Sequence, residues 1–357
     1  MTGHEPPSAL QNAISKLAHH QPMSADVAAD AFGVIMRGEA TAVQIAAMLA
    51  GLRVKGETAE IVAGVVRALR EVMVRLPSSN PDELVDTCGT GGGAVPTFNI
   101  STAAALVAAG AGVRIAKHGN RSFTSRCGSA DVLEALGVAI EAPVPAMEAA
   151  LRDAGIVFMY APLMHPAMRH VGPIRRELGI PTVMNVVGPL ANPAGALRQV
   201  VGVADAYRVP ILAGALAELG SIHAMVVHGE PGLDEVSPLG VTHVVEIRDG
   251  KTTEWTIDPA EFGLSASNPA DLAGGDPGEN ARIITEILSG GGTAAANAAV
   301  ILNAAAAVYV SGRVKDFSEG VAAATGALES GEGLAALERL RSAYSAPNAA
   351  QGGKGDR

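Results

Sequence analysis

Apolar residues recur at helical spacing through residues 8–76. Ala28, Ala31, Phe32 and Ile35 form one stripe, and Ile45, Met48, Leu49 and Leu52 form another. Gly33, Gly38, Gly51 and Gly56 fall near the turns, and residues 58–75 read as a further helix. The cluster Leu76-Pro77-Ser78-Ser79-Asn80-Pro81 ends this pattern and reads as a linker. Beyond it the period changes. A short strand at 83–87 runs into CGTGGGA, followed by a helix at 101–110, a strand at 113–116 and a helix at 131–136. Apolar runs at 156–160, 200–204, 210–219 and 223–228 continue the alternation, which predicts an α/β layer with a mostly parallel central sheet.

This organisation predicts an α/β class protein. A small all-helical domain at 1–80 is completed by about 165–192, and a larger α/β domain takes 81–164 and 193–345, leaving a disordered tail at 346–357. The chain of 357 residues is 48% hydrophobic and 17% charged, which suits a compact protein with a large core. Aromatics are only 3%, so that core must rest on closely packed alanine-rich helices. The longest apolar stretch, 293–310, is alanine-dominated and carries Asn297 and Asn303, which reads as a buried helix rather than a membrane span. No basic start followed by an apolar run opens the chain, so a cytoplasmic protein is expected. A net charge of −10 argues against a nucleic-acid partner. Cys88 and Cys127 lack the spacing of a zinc or disulfide framework.

The chemistry concentrates between Asp86 and Ser129. A strand, then Gly89-Thr90-Gly91-Gly92-Gly93, then a helix opened by Asn99, Ser101 and Thr102 is an arrangement that offers backbone N–H groups to an anion. Simple capping of that helix by Ser and Asn is the competing reading. Gly89, Gly91 and Ala94 match a relaxed dinucleotide fingerprint. No Asp or Glu lies between Asp86 and Asp131 to hold a ribose, however, and no Gly-Lys-Ser/Thr closes a nucleotide loop. In an acidic chain, Arg114, Lys117, Arg121 and Arg126 form a cationic island without an acid among them. A second constellation, His228-Gly229-Glu230-Pro231-Gly232-Leu233-Asp234-Glu235, offers adjacent carboxylates suited to magnesium on phosphate oxygens. A third, residues 164–177, is rich in His and Arg, and Arg175 or Arg176 could grip a carboxylate.

Taken together, the strings DTCGTGGG, TFNIST, KHGNR, GSADVLEALG, HPAMRHVGPIRRELG, NVVGPLANP and VHGEPGLDE resemble the anthranilate phosphoribosyltransferase family over about residues 10–345. The pyrimidine nucleoside phosphorylases, which share the fold, and a non-catalytic nucleic-acid-binding relative are the alternatives. The resemblance implies transfer of phosphoribosyl from phosphoribosyl pyrophosphate to anthranilate by a homodimer with two Mg2+ ions per subunit. It assigns the sugar donor to Gly89, Gly92, Gly93, Thr97, Asn99, Ile100, Ser101, Thr102, Lys117, His118, Gly119, Asn120, Arg121, Ser122, Phe123, Thr124, Ser125 and Ser129. Anthranilate falls to Gly89, Asn120, Arg175 and His165, with His118 nearby, and the metal to Ser101, Asp234 and Glu235. No general base is implied, and Lys117 is expected to stabilise charge. Two departures stand out: Gly93 where the family often has Asp, and Cys127 where many members have Ser.

Overall fold

The computed structural model describes residues 8–122 and 126–345. The tail expected to be disordered therefore lies outside the described residues, as do Phe123, Thr124 and Ser125.

Four helices come first: α1 (Ala9–Ala18), α2 (Ala25–Met36), α3 (Ala42–Lys55) and α4 (Ala59–Val72). Each starts behind a hydroxyl, from Ser8, Ser24, Thr41 and Thr58, that accepts from a first-turn N–H with no helical partner. Both stripes point inward, and Ala28, Ala31, Phe32, Ile35, Met48, Leu49 and Leu52 have no exposed surface.

The α/β part then runs β1 (Leu84–Gly89), α5 (Ile100–Gly110), β2 (Arg114–Gly119), α6 (Ser129–Ala135), α7 (Val144–Asp153) and β3 (Ile156–Tyr160). The chain returns to the helical layer with α8 (Ala161–Met164), α9 (Gly172–Leu178) and α10 (Met184–Val187). Val171, Val183, Met184 and Val187 pack into the same core as α1 to α4. It re-enters the sheet as β4 (Arg198–Gly202), α11 (Val209–Glu218), β5 (His223–Gly229), β6 (Thr242–Arg248) and β7 (Lys251–Ile257). Four helices close the fold: α12 (Pro277–Leu288), α13 (Ala294–Val310), α14 (Phe317–Glu329) and α15 (Glu332–Ser345).

Among the described residues the sheet has seven strands in the order β3-β2-β1-β4-β5-β6-β7. The first five pair in parallel, and β6 and β7 join antiparallel at one edge. The expected mostly parallel sheet between helices is thus present. Its strands are apolar on both faces because both are covered. Val200, Met225 and Val227 face the core under α5 and α13, while Val201, Ala224 and Val226 face the core of the N-terminal helices. The alanine run of α13 lets that helix pack tightly enough to be buried from Ala298 through Val310.

Candidate active site

The C-terminal ends of β1, β2, β4 and β5 converge, as expected for a site in a parallel sheet. Gly91 and Gly92 adopt φ of 72° and 82°, a left-handed backbone open to glycine, and so turn the loop after β1 back over the sheet. Gly91 N–H donates to Asp234 Oδ2 at 2.7 Å, and Ala94 N–H donates to Gly232 O at 2.9 Å. The glycine loop and the Asp234-Glu235 turn are therefore one structure. Absent side chains make this approach possible: a Cβ on Gly89 would stand 2.3 Å from Asp234 Oδ2, and one on Gly202 1.7 Å from Asp234 O. A Cβ on Gly93 would lie 3.3 Å from Asp234 Oδ1 and 3.1 Å from Gly232 O. A carboxylate at that position would crowd a third negative group against the turn.

The helix after the loop is closed by an acid and not by its own residues. Asn99 makes no capping bond. Instead Glu235 Oε1 accepts from Ser101 N–H at 3.1 Å. Desolvation and the adjacent Asp234 carboxylate push the Glu235 carboxyl up, and desolvation raises Asp234 as well. Lys117, 3% exposed, extends along β2 so that its ammonium donates to Thr87 O and lies 3.4 Å from both Ser101 Oγ and Thr87 Oγ1. Desolvation lowers its affinity for a proton, and Asp86 is its foremost counter-charge.

Several expected donor residues gather here, and others lie in the packing around them. Gly89, Ser101, Lys117, Asp234 and Glu235 form the centre. Ile100 and Thr102 are 1% exposed within the core, and their N–H groups donate to Phe98 O at 2.8 Å and Asn99 O at 3.1 Å. Thr97 and Gly92 flank the loop. Asn120, Gly119 and Ser129 form one turn: Ser129 Oγ donates to Asn120 O at 3.4 Å, and a Cβ on Gly119 would meet Ser129 Oγ at 2.1 Å. Asp131 accepts from Ser122 N–H at 3.1 Å and fixes that turn. Phe123, Thr124 and Ser125 lie outside the described residues.

The cationic island needs correction. Arg121 pairs with Asp131 and Glu134, each at 2.9 Å, and both hold its guanidinium charged. Arg114 donates to Leu151 O at 3.1 Å. Of the four, Lys117 is the one buried against the loop, and Arg126 is exposed.

The acceptor residues divide between the two layers. Gly89 ends β1 and Asn120 follows β2, whereas Arg175 lies on α9 and donates to Asn185 Oδ1 at 3.3 Å. His118 and His165 meet edge to face with centroids 4.9 Å apart. Burial drops the His118 imidazole to about 3 and that of His165 to about 4, so both are neutral at pH 7.

Sequence reasoning missed two amides that set this geometry. Asn303, on α13, accepts from Val236 N–H at 2.8 Å and donates to Val236 O at 2.9 Å, so it fixes the residue after Glu235 as a paired strand would. Asn280, on α12, donates to Asn99 Oδ1 at 2.9 Å, and Asn99 in turn donates to Cys127 O at 3.2 Å. The signal for Asn303 was a polar side chain inside an apolar helix. Nothing local marked Asn280.

Comparison with known proteins agrees with this arrangement. Residues 81–334 match the glycosyl transferase family a/b domain, and residues 11–73 match the glycosyl transferase family helical bundle domain. The anthranilate phosphoribosyltransferase of Rubrobacter xylanophilus is 51% identical over 93% of this chain and 96% of its own length. The crystal structure of anthranilate phosphoribosyltransferase from Thermus thermophilus superposes with a TM-score of 0.88 at 42% identity, covering 94% of this chain and 99% of that one. The Saccharomyces cerevisiae enzyme in complex with PRPP and Mg superposes with a TM-score of 0.85 at 31% identity, covering 95% and 99%.

Proposed function

The chain belongs to the anthranilate phosphoribosyltransferase family and transfers the phosphoribosyl group of 5-phosphoribosyl 1-pyrophosphate to anthranilate, releasing pyrophosphate, in tryptophan biosynthesis; from that premise we propose how its residues divide the work. The observation that carries the assignment is the pair of bonds from Gly91 N–H to Asp234 and from Ser101 N–H to Glu235. They place two carboxylates against a loop built for an anion. Such a pair would repel a pyrophosphate unless a cation stood between them.

The donor set suits magnesium: two carboxylates and the Ser101 hydroxyl are hard oxygen ligands, and the carboxylates are desolvated like charges. Among the described residues no group of three or more His, Cys, Asp or Glu gathers, so phosphate oxygens and water would complete the shell. Asp234, Glu235 and Ser101 would hold the metal, which supplies neutralisation of the departing pyrophosphate. Two ions per subunit form part of this proposal.

The remaining work falls to the protein. Loop N–H groups and the Lys117 ammonium stabilise the charge that builds on the leaving oxygens as the anomeric carbon gains oxocarbenium character. Arg175 grips the anthranilate carboxylate and aims its amine at that carbon. An aromatic amine is neutral and nucleophilic at pH 7, so its proton can leave to water or pyrophosphate after bond formation. No side chain is assigned as general base.

Titrating phosphoribosyl pyrophosphate into the protein without anthranilate tests the donor site. Binding that requires Mg2+ and vanishes in a chelator supports it, and equal binding without divalent cation would contradict it. Arg175→Ala is expected to raise the KM for anthranilate by ~10–100-fold, the loss of a bidentate charged contact. The donor KM should move far less in steady-state kinetics, and an equal rise in both would displace Arg175 from this role.

We extend the proposal to a cytoplasmic homodimer joined through the helical layer. Val43 and Val54 on α3 support it, being apolar yet 79% and 85% exposed. Light scattering that returned the mass of one chain would refute it. Among the described residues, no helix is long and apolar enough to cross a membrane.

A further inference from the structure

One buried charge lies beside the active site and reaches the donor centre only as the counter-charge of Lys117. Asp86, on β1, has no exposed surface, and burial raises its carboxyl to about 6. A carboxylate is tolerated there only because donors surround it. His118 N–H, at the end of β2, donates to Oδ1 at 3.2 Å, and Asn192 Nδ2 donates to Oδ2 at 2.8 Å.

Asn192 is itself fully engaged. Its Nδ2 also donates to Ala116 O at 2.8 Å, and its Oδ1 accepts from Ala194 N–H at 2.9 Å and Ala196 N–H at 3.5 Å. The pair thus ties β1 and β2 to residues 188–196, the strap that carries the chain from the helical layer back to β4. Further bonds seat the same strap. Pro189 O accepts from Gln199 Nε2 at 2.8 Å, and Leu190 O accepts from Arg70 Nη2 at 2.6 Å.

The two imidazoles lie beside the same pair. The His118 backbone is held by Asp86, and the His165 ring meets the His118 ring edge to face at 4.9 Å between centroids, with neither ring nitrogen of His165 hydrogen-bonded among the described residues. Asp86 therefore holds His118 directly through its N–H, and reaches His165 through the edge-to-face contact of the two rings.

We propose that Asp86 and Asn192 are positioning residues for the acceptor half of the site, acting by fixing His118, His165 and the strap between the two layers. This rests on the assignment of the His118–His165 region to anthranilate. The opposite wall, where the glycine loop meets Asp234, is built by other bonds, and Lys117, though it loses a counter-charge, keeps its bonds to Thr87 O and Ser101 Oγ, so the donor half should be less affected than the acceptor half.

Asp86→Asn tests this with little change in shape. The substituted side chain keeps one oxygen, but His118 N–H and Asn192 Nδ2–H both require an acceptor. One donor must then face the new amide N–H. Turning the Asn192 amide would only move the conflict to Ala194 and Ala196 N–H.

The expected result is a KM for anthranilate raised ~10-fold or more, with the donor KM within about twofold of the parent. A tenfold effect corresponds to about 1.4 kcal/mol. Direct titration with anthranilate by its own fluorescence should show the same selective loss. An unchanged anthranilate KM, or parallel losses for both substrates, would overturn the proposal.

Should Asp86→Asn fail to fold, the double variant D86N/N192D carries the test, because it returns an acceptor opposite the new amide. Weaker anthranilate binding than the parent with normal donor binding supports the proposal, and equal loss of both contradicts it. If the unmodified protein neither turns over nor binds anthranilate, the assignment of the acceptor site fails first, and the parent's own assay shows this separately.

Discussion

Replacing Asp234 and Glu235 together by Asn and Gln lowers kcat/KM by at least ~10³-fold, about 4 kcal/mol of transition-state stabilisation, because the metal that neutralises the leaving group is lost. The amides keep an oxygen toward Gly91 and Ser101 N–H, whose bonds to Asp234 and Glu235 are 2.7 and 3.1 Å, so the loop should hold its shape. The thermal midpoint of the ligand-free protein should be unchanged or higher, since two carboxylates raised by desolvation and mutual repulsion become neutral. Activity lost without stability lost separates a metal-binding role from a scaffolding one. Steady-state rates across a Mg2+ series check the first half and a melting curve the second. Retained activity would remove both residues from the mechanism.

Lys117→Met lowers kcat by ~10²–10³-fold, the range found when a preorganised charge-stabilising donor is removed. The substitution keeps the length of the stem, which lies in a nearly closed environment at 3% exposure. Only the ammonium is lost, and with it the cation 3.4 Å from Ser101 Oγ at the edge of the proposed metal site. Two consequences distinguish this from a packing defect. kcat should fall and the donor KM should rise, while the KM for anthranilate should hardly move. Asp86 also loses its nearby opposite charge, so its carboxyl should rise further. A fall confined to anthranilate affinity would mean that Lys117 serves the acceptor and not the leaving group.

Much of this site is legible because its parts follow strands. The switch from helical spacing to alternating runs after Pro81 foretells the sheet, and CGTGGGA and LDE fall where β1 and β5 end. The β6–β7 edge is also legible in the sequence. Arg248-Asp249-Gly250-Lys251 carries the Asp-Gly signal of a tight hairpin, and Asp249 and Gly250 take φ of 52° and 74°. The cationic island was overread because Asp131 and Glu134 lie just past its end, one turn apart on α6, and reach back to Arg121. Asn99 looked like a helix cap, yet its amide bridges Asn280 and Cys127 while Glu235 closes the helix.

The buried amides resist sequence reading for a physical reason. Asn280 lies 181 residues from Asn99, and Asn303 lies 67 from Val236. No periodicity links positions so far apart. Only the packing of α12 and α13 against the strand ends brings them to the site. Asp86 resembled any acid at the end of a short strand until its donors, His118 and Asn192, came together around it.

The central claim is that the glycine loop, Lys117 and the Asp234-Glu235 turn form one magnesium-dependent donor site serving transfer to anthranilate. Following anthranilate fluorescence in the presence of protein, phosphoribosyl pyrophosphate and Mg2+ tests it most directly. The expected result is a steady loss of fluorescence that stops when the donor or the metal is withheld. Undiminished fluorescence at high protein concentration, with all components present, would contradict it.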